Sequence, residues 1–206
     1  MPLSPPVSES VRLIAAENAA LAAALSATSS AELDAAAGAL SFAALPSAGR
    51  VSAGRVSAGR VFVLGAGRSG LALRMTAMRL MHLGLTVHVV GEVTTPAIAA
   101  EDVLLVASGS GTTTGIVRAA ETAVSVGASV IALTTAPGSP LAALAGVVVT
   151  VPAAEKQDRA GDRSAQYAGS LFEQAVVLIG DALFHTLWQS SGQSADNLWP
   201  RHSNLE

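Results

Sequence analysis

The sequence predicts an α/β protein, a doubly wound five-stranded parallel sheet in a three-layer sandwich, preceded by an N-terminal helical hairpin. Three observations lead there. From residue 60 onward, short aliphatic runs recur between turn residues, and a run without polar alternation is a strand buried on both faces. Helical segments separate most of these runs, so successive strands need crossovers and pair in parallel. The 206 residues, 50% hydrophobic and 13% charged, are enough for one sizeable core.

The elements follow in order. Residues 9–27 are Ala- and Leu-rich with polar side chains on one side, and Ser8 or Ser10 is placed to cap the start. A second helix is expected over 30–44, opened by Ser30 and stopped before Pro46. So much alanine buries little alone, so the hairpin (1–46) is expected to pack on the main domain or on a neighbouring subunit. Ser-Ala-Gly-Arg-Val then occurs three times, at 47–51, 52–56 and 57–61. A period of five keeps no face of a helix or strand, so 47–59 reads as a duplicated linker. The alternative is an anion site lined by Arg50, Arg55 and Arg60. The domain proper is expected over 60–206, with strands at 61–64, 86–90, 103–107, 130–134 and 147–151. Helices are expected near 69–83, 113–126 and 139–145, with a loop at 91–102. A loop at 152–168 leads to a long helix at 169–190, and 195–206 reads as a structureless polar tail.

Composition excludes several classes. With 12 basic and 15 acidic residues the net charge is −3, so no electrostatic footprint for nucleic acid exists. The absence of cysteine excludes a disulfide scaffold, a thiolate metal site and a cysteine nucleophile. The mean hydropathy is +0.50. Even so, Asp, Arg, Gly or Pro interrupts each apolar stretch before the roughly 20 residues a membrane span needs. No basic segment precedes an apolar run at the N-terminus, so no signal peptide is expected and the chain reads as cytoplasmic.

Chemistry concentrates in two loops. The first strand ends in Gly65-Ala66-Gly67-Arg68-Ser69-Gly70, a G-x-G-x-x-G pattern, and Glu92 lies where a ribose-binding acid of a dinucleotide site would be. The third strand ends in Ser108-Gly109-Ser110-Gly111-Thr112-Thr113-Thr114 and opens a helix. Amides at a helix N-terminus carry partial positive charge, glycines admit an oxygen to the backbone, and hydroxyls add uncharged donors. That combination suits a phosphate monoester. No lysine follows the glycines, so nucleoside triphosphate hydrolysis is not expected.

The two loops, with Met78-Arg79-Leu80-Met81-His82-Leu83-Gly84, Val90-Gly91-Glu92, Thr94-Thr95-Pro96, Gly169-Ser170-Leu171-Phe172-Glu173-Gln174 and Arg201-His202-Ser203-Asn204-Leu205-Glu206, resemble the sugar isomerase (SIS) domain, and within it the 6-phospho-3-hexuloisomerases. The resemblance implies a flavodoxin-like sandwich and an isomerase interconverting D-arabino-hex-3-ulose 6-phosphate and D-fructose 6-phosphate through a cis-enediol. It further implies a place in the ribulose monophosphate pathway, coupling to 3-hexulose-6-phosphate synthase, no redox cofactor or metal, and a homotetramer with shared active sites. Such chemistry needs a base near two adjacent carbons, donors for an oxyanion and a firm hold on the phosphate.

The residues supply candidates for each role. Ser108, Ser110 and Thr113, with the Gly109 and Gly111 backbone, are expected to hold phosphate, aided by Ser69. Arg68 is placed for phosphate or enediolate. Glu173 is the expected base, or else only complements the helix dipole. His202 is the second catalytic candidate, for proton shuttling or ring opening. Glu92 is expected to bind sugar hydroxyls or to be a solvated loop acid. His82 and His88 read as packing or surface residues, His185 as core or interface, and Arg79 as an ion pair or subunit contact. Met75, Met78 and Met81 read as a packed helix face. Two departures stand out. The family's SGSG is usually followed by Glu then Thr, whereas position 112 is Thr, and its usual Gln-Pro-Met is here Gln166-Tyr167-Ala168. The rivals are another SIS isomerase, of the arabinose 5-phosphate type, a non-catalytic phosphosugar-binding module, and a dinucleotide binder.

Overall fold

In the computed structural model, which describes residues 5–44, 51–52, 55–56, 59–153 and 164–205, the aliphatic runs form strands β1 (Val61–Gly65), β2 (Val87–Val89), β3 (Val103–Ala107), β4 (Ser129–Thr134) and β5 (Val147–Thr150). All pairings are parallel and the spatial order is β2-β1-β3-β4-β5, the flavodoxin-like order. Val61 is in register with Val87 on one side and Val103 on the other. The central strands β1 and β3 carry no polar residue at all, because helices cover both faces of the sheet.

One face is covered by α3 (Gly67–Leu83) and α6 (Ser170–Ser191), backed by the hairpin of α1 (Val7–Thr28) and α2 (Ser30–Ala44). Leu21, Leu25, Leu40, Leu73, Leu80, Ile179 and Leu183 fill this core. The other face is covered by α4 (Thr114–Ser125), α5 (Pro140–Leu144) and part of the 90–102 connection, which bury Phe62, Leu104, Val106 and Ile116. The hairpin is tied to the sheet by Ser29, whose hydroxyl donates to the Thr150 carbonyl at 2.9 Å. Where α3 and α6 cross, any side chain at Gly180 would run into Thr76, so the glycine sets their approach. By length and composition α6 is apolar enough to cross a bilayer, contrary to expectation, but Leu171, Val176, Ile179 and Leu183 are buried in the core.

Several expectations change. α1 starts at Val7 after an extended Pro6, with no side-chain cap, so Ser8 and Ser10 fall inside its first turn. Of the repetitive segment, Val51–Ser52 pairs antiparallel with Arg55–Val56, and its residues 47–50, 53–54 and 57–58 lie outside the described residues. Arg60 is committed within the fold. It is paired bidentately with the buried carboxylate of Asp102, which also accepts from the amides of Arg60 and Ala99.

The tail is not structureless. Ser194 and Asn197 form a capping box that starts α7 (Ala195–Leu198), and a 3₁₀ turn follows over Trp199–Arg201. Arg201 donates to the carbonyls of His82 and Asn197, and His202 stacks on the buried His82 ring at 3.9 Å. The Met75–Met78–Met81 row is not packed among the described residues. With Leu71 it forms an exposed apolar stripe on α3, because α6 covers the opposite side of that helix. His185 is likewise exposed, with its ring edge to Trp188. His88 lies against Phe62, and the Arg79 guanidinium sits over Phe184.

Candidate functional site

β1 sends the chain into α3 on one face and β3 sends it into α4 on the other. The order of the sheet therefore reverses between these strands, and a crevice opens above their carboxyl ends. A cavity of about 460 Å³ lies there, within the range of small-ligand sites.

The first loop is built by close approach. Gly65 and Gly70 face each other so tightly that a Cβ on either would strike the backbone of the other, and Gly67 takes a positive φ of 57°. The start of α3 is thereby pressed onto the end of β1, which brings Ala66 and the largely buried Ser69 to the cavity wall.

The second loop is braced from below. The Gly109 carbonyl accepts the Thr135 amide and the Thr134 and Thr135 hydroxyls at 2.8–3.0 Å. Gly111, at φ 61°, closes a turn by donating to the Ser108 carbonyl, and a Cβ there would collide with Ser139. What faces the cavity is a row of hydroxyls. Ser108 Oγ and Thr113 Oγ1 lie 3.1 Å apart, and Thr112 Oγ1 lies 2.9 Å from Ser110 Oγ. Thr113 occupies the N-cap of α4 but makes no side-chain cap, so its hydroxyl stays on the cavity side with Ser108. The first amides of α4 add the usual donors of a helix N-terminus.

Across from this cradle stands the start of α6, with Gly169, Phe172 and Glu173. Glu173 is the only ionisable side chain lining the cavity among the described residues. Its Oε2 lies 2.7 Å from Arg68 Nη1, and the same nitrogen donates to Ser170 Oγ at 3.2 Å. Phe172 lies against Gly109 and so links the start of α6 to the second loop.

The structure thus gathers Ser69, Ser108, Gly109, Ser110, Thr113 and Glu173 around one cavity, with Arg68 on its rim. Gly111 shapes the loop from behind. Glu92 is not at the wall; its carboxylate is paired with Arg74 at 2.6 Å, which leaves it poorly placed for a ribose. His202 is not there either. Its partner His82 follows Ser69 by thirteen residues, about 20 Å along α3, and among the described residues the tail contributes nothing to the wall of this cavity. Phe172, Gly169, Ala136 and Thr112 join the wall without having been singled out as ligands. Thr112 carried a sequence signal as part of the second loop, and Phe172 and Gly169 did so by their place beside Glu173; Ala136 carried none. Wall, cradle and single carboxylate together suit a neutral polyol bearing one phosphate, with one group able to move a proton.

Comparison with known proteins agrees with this geometry. The SIS domain model matches residues 56–178. A protein of Mycobacterium gastri named 3-hexulose-6-phosphate isomerase is 62% identical over 146 residues, covering 71% of this chain and 73% of its own. One of the same name from Bacillus subtilis is 39% identical over 147 residues, covering 71% and 80%. Among solved structures, a hypothetical protein from Methanococcus jannaschii shares the fold over 96% of this chain and 99% of its own, with a TM-score of 0.76 at 24% identity. The chain belongs to the SIS-domain family and, within it, to the 3-hexulose-6-phosphate isomerases.

Proposed function

We propose that this chain interconverts D-arabino-hex-3-ulose 6-phosphate and D-fructose 6-phosphate. The observation that carries the mechanism is a lone carboxylate, Glu173, facing an uncharged hydroxyl-and-amide cradle across one cavity. The 6-phosphate sits on Ser108, Ser110 and Thr113 and the start of α4, with Ser69 on the near side. Remote binding of this kind fixes C2 and C3 relative to the base. Glu173 takes the proton from C2 as the C3 carbonyl oxygen gains charge, giving the cis-enediolate. Return of that proton to C3, with transfer of the C2 hydroxyl proton to the C3 oxygen, leaves a carbonyl at C2 and a hydroxyl at C3. The Arg68 guanidinium, already beside Glu173, follows the negative charge onto the substrate oxygen.

A homotetramer completes the site. The exposed Leu71, Met75 and Met78 stripe supports burial against another copy, and the distance of His202 from the cavity of its own chain supports a tail serving a neighbour. A cytoplasmic enzyme working downstream of a 3-hexulose-6-phosphate synthase fits this chemistry.

The test is a coupled assay in which the synthase makes the 3-ketose phosphate from formaldehyde and ribulose 5-phosphate, and fructose 6-phosphate is read out. Glu173→Gln should lower kcat by about 10² to 10⁴-fold while leaving competitive binding of inorganic phosphate intact. Turnover unchanged in this variant would remove Glu173 as base. Phosphosugar binding without any wild-type turnover would leave a sensor module instead.

A further inference from the structure

The start of α6 is held from a distance by a network outside the cavity. Glu17, on α1, has no cationic partner among the described ion pairs and instead collects three donors. The Ser164 hydroxyl reaches Oε2 at 2.7 Å, the Ala165 amide reaches Oε1 at 2.7 Å, and the Gln166 side-chain amide reaches Oε2 at 2.9 Å. Next to it, Asn18 donates to Gln174 Oε1 at 2.7 Å, and Gln174 donates back to Gln166 Oε1 at 2.7 Å. Gln174 is the immediate neighbour of Glu173.

Between this clamp and the cavity lie three residues. Ala168 has φ 50°, a left-handed conformation that a residue with a Cβ avoids and that persists only where its surroundings impose it. Gly169, next along, lines the cavity and its carbonyl accepts the Glu173 amide. The Tyr167 carbonyl accepts the Ser170 hydroxyl, which in turn accepts from Arg68, the partner of Glu173.

We propose that Glu17 is a positioning residue for the isomerisation: from α1 it clamps Ser164–Gln166, and this holds the turn that aims Glu173 at the phosphate cradle. The role rests on Glu173 being the base. It gives the N-terminal hairpin a task in turnover as well as in packing. A carboxylate is required because the three groups converging on it are all donors; a glutamine would set an N–H against one of them.

The full-length Glu17→Gln protein tests this beside wild type. Hydrogen exchange should quicken across 164–170. In the coupled assay kcat should fall about 10- to 100-fold, while KM stays within about twofold, because the phosphate cradle on β3 and α4 does not touch the clamp. Ser164→Ala removes one donor and leaves α1 unaltered, so it should show the same pattern more weakly even if Glu17→Gln fails to fold. Faster exchange with unchanged kcat would make the clamp purely structural and overturn the proposal, as would unchanged exchange. A wild type that turns over nothing would overturn the isomerase assignment and this role with it, whereas equal kcat in active wild type and variants would overturn this role alone.

Discussion

The pair of Arg68 and Glu173 is short, at 2.7 Å, yet Arg68 is 61% exposed. An ion pair so open to water is worth about 1 kcal/mol or less, so it can part when substrate arrives. Arg68→Ala should therefore leave the melting temperature nearly unchanged. If the guanidinium stabilises the enediolate, kcat in the coupled assay should fall by about 10²; a loss confined to KM would assign it to phosphate instead. Ser108→Ala should act the other way, raising KM more than it lowers kcat, because its hydroxyl belongs to the cradle. These residues were legible in the sequence because cap and loop chemistry is local: the glycines and hydroxyls that make a helix N-terminus hospitable to an anion must be adjacent. The surroundings of Glu92 and His202 were not legible, since the partner of each, Arg74 and His82, is brought to it only by the fold.

At the scale of elements, the crossing of α3 and α6 depends on one missing side chain. Gly180→Ala would push its Cβ into Thr76, and overpacking of this kind costs about 1–3 kcal/mol. Thermal denaturation should show the loss, and Thr76→Ala in the same chain should recover part of it by removing the Thr76 hydroxyl that the new Cβ strikes. Tail docking has its own vulnerability. His82 is buried with Nδ1 lacking a hydrogen-bond partner, and burial first, then the nearby His202 and Arg79 charges, hold its pKa below the ordinary 6.5. The unfolded chain therefore takes up a proton here that the folded chain resists. Stability falls as pH drops below about 6.5 and keeps falling until the lower folded value is reached. His82→Phe should flatten that part of the stability–pH curve, measured by denaturant melts between pH 7 and 5.

For the molecule as a whole, two carboxylates act at lower pH. Burial alone would raise Asp102 and Glu17, but hydrogen bonds from Arg60 and Ala99 to the one, and from Gln166, Ser164 and Ala165 to the other, more than offset it and lower both. Their contribution is complete above the ordinary carboxylate values and is lost as pH falls through the depressed ones, so acid unfolding should steepen below about pH 4. Asp102→Asn should weaken that acid step and lower stability at neutral pH. The exposed α3 stripe bears on assembly: Met78→Lys should shift the protein to smaller species in sedimentation if that face meets another copy, and leave them unchanged if it does not.

Five strands, their parallel pairing and both glycine-rich loops could be read from the chain, because uninterrupted aliphatic runs, crossover helices and glycine spacing act over a few residues and allow one layered solution. The sequence was silent on contacts between distant segments. Glu17 meets Ser164 and Gln166 across 147 and 149 positions, and Arg68 meets Ser170 across 102. Their residue types are ordinary at each end, and only the stacking of α1 and α3 around the start of α6 makes them partners. Short-range sterics and hydrophobic period thus settled the architecture and the phosphate cradle, while the aim of Glu173, the docking of the tail and the exposure of the methionine row came from packing, which no local pattern records.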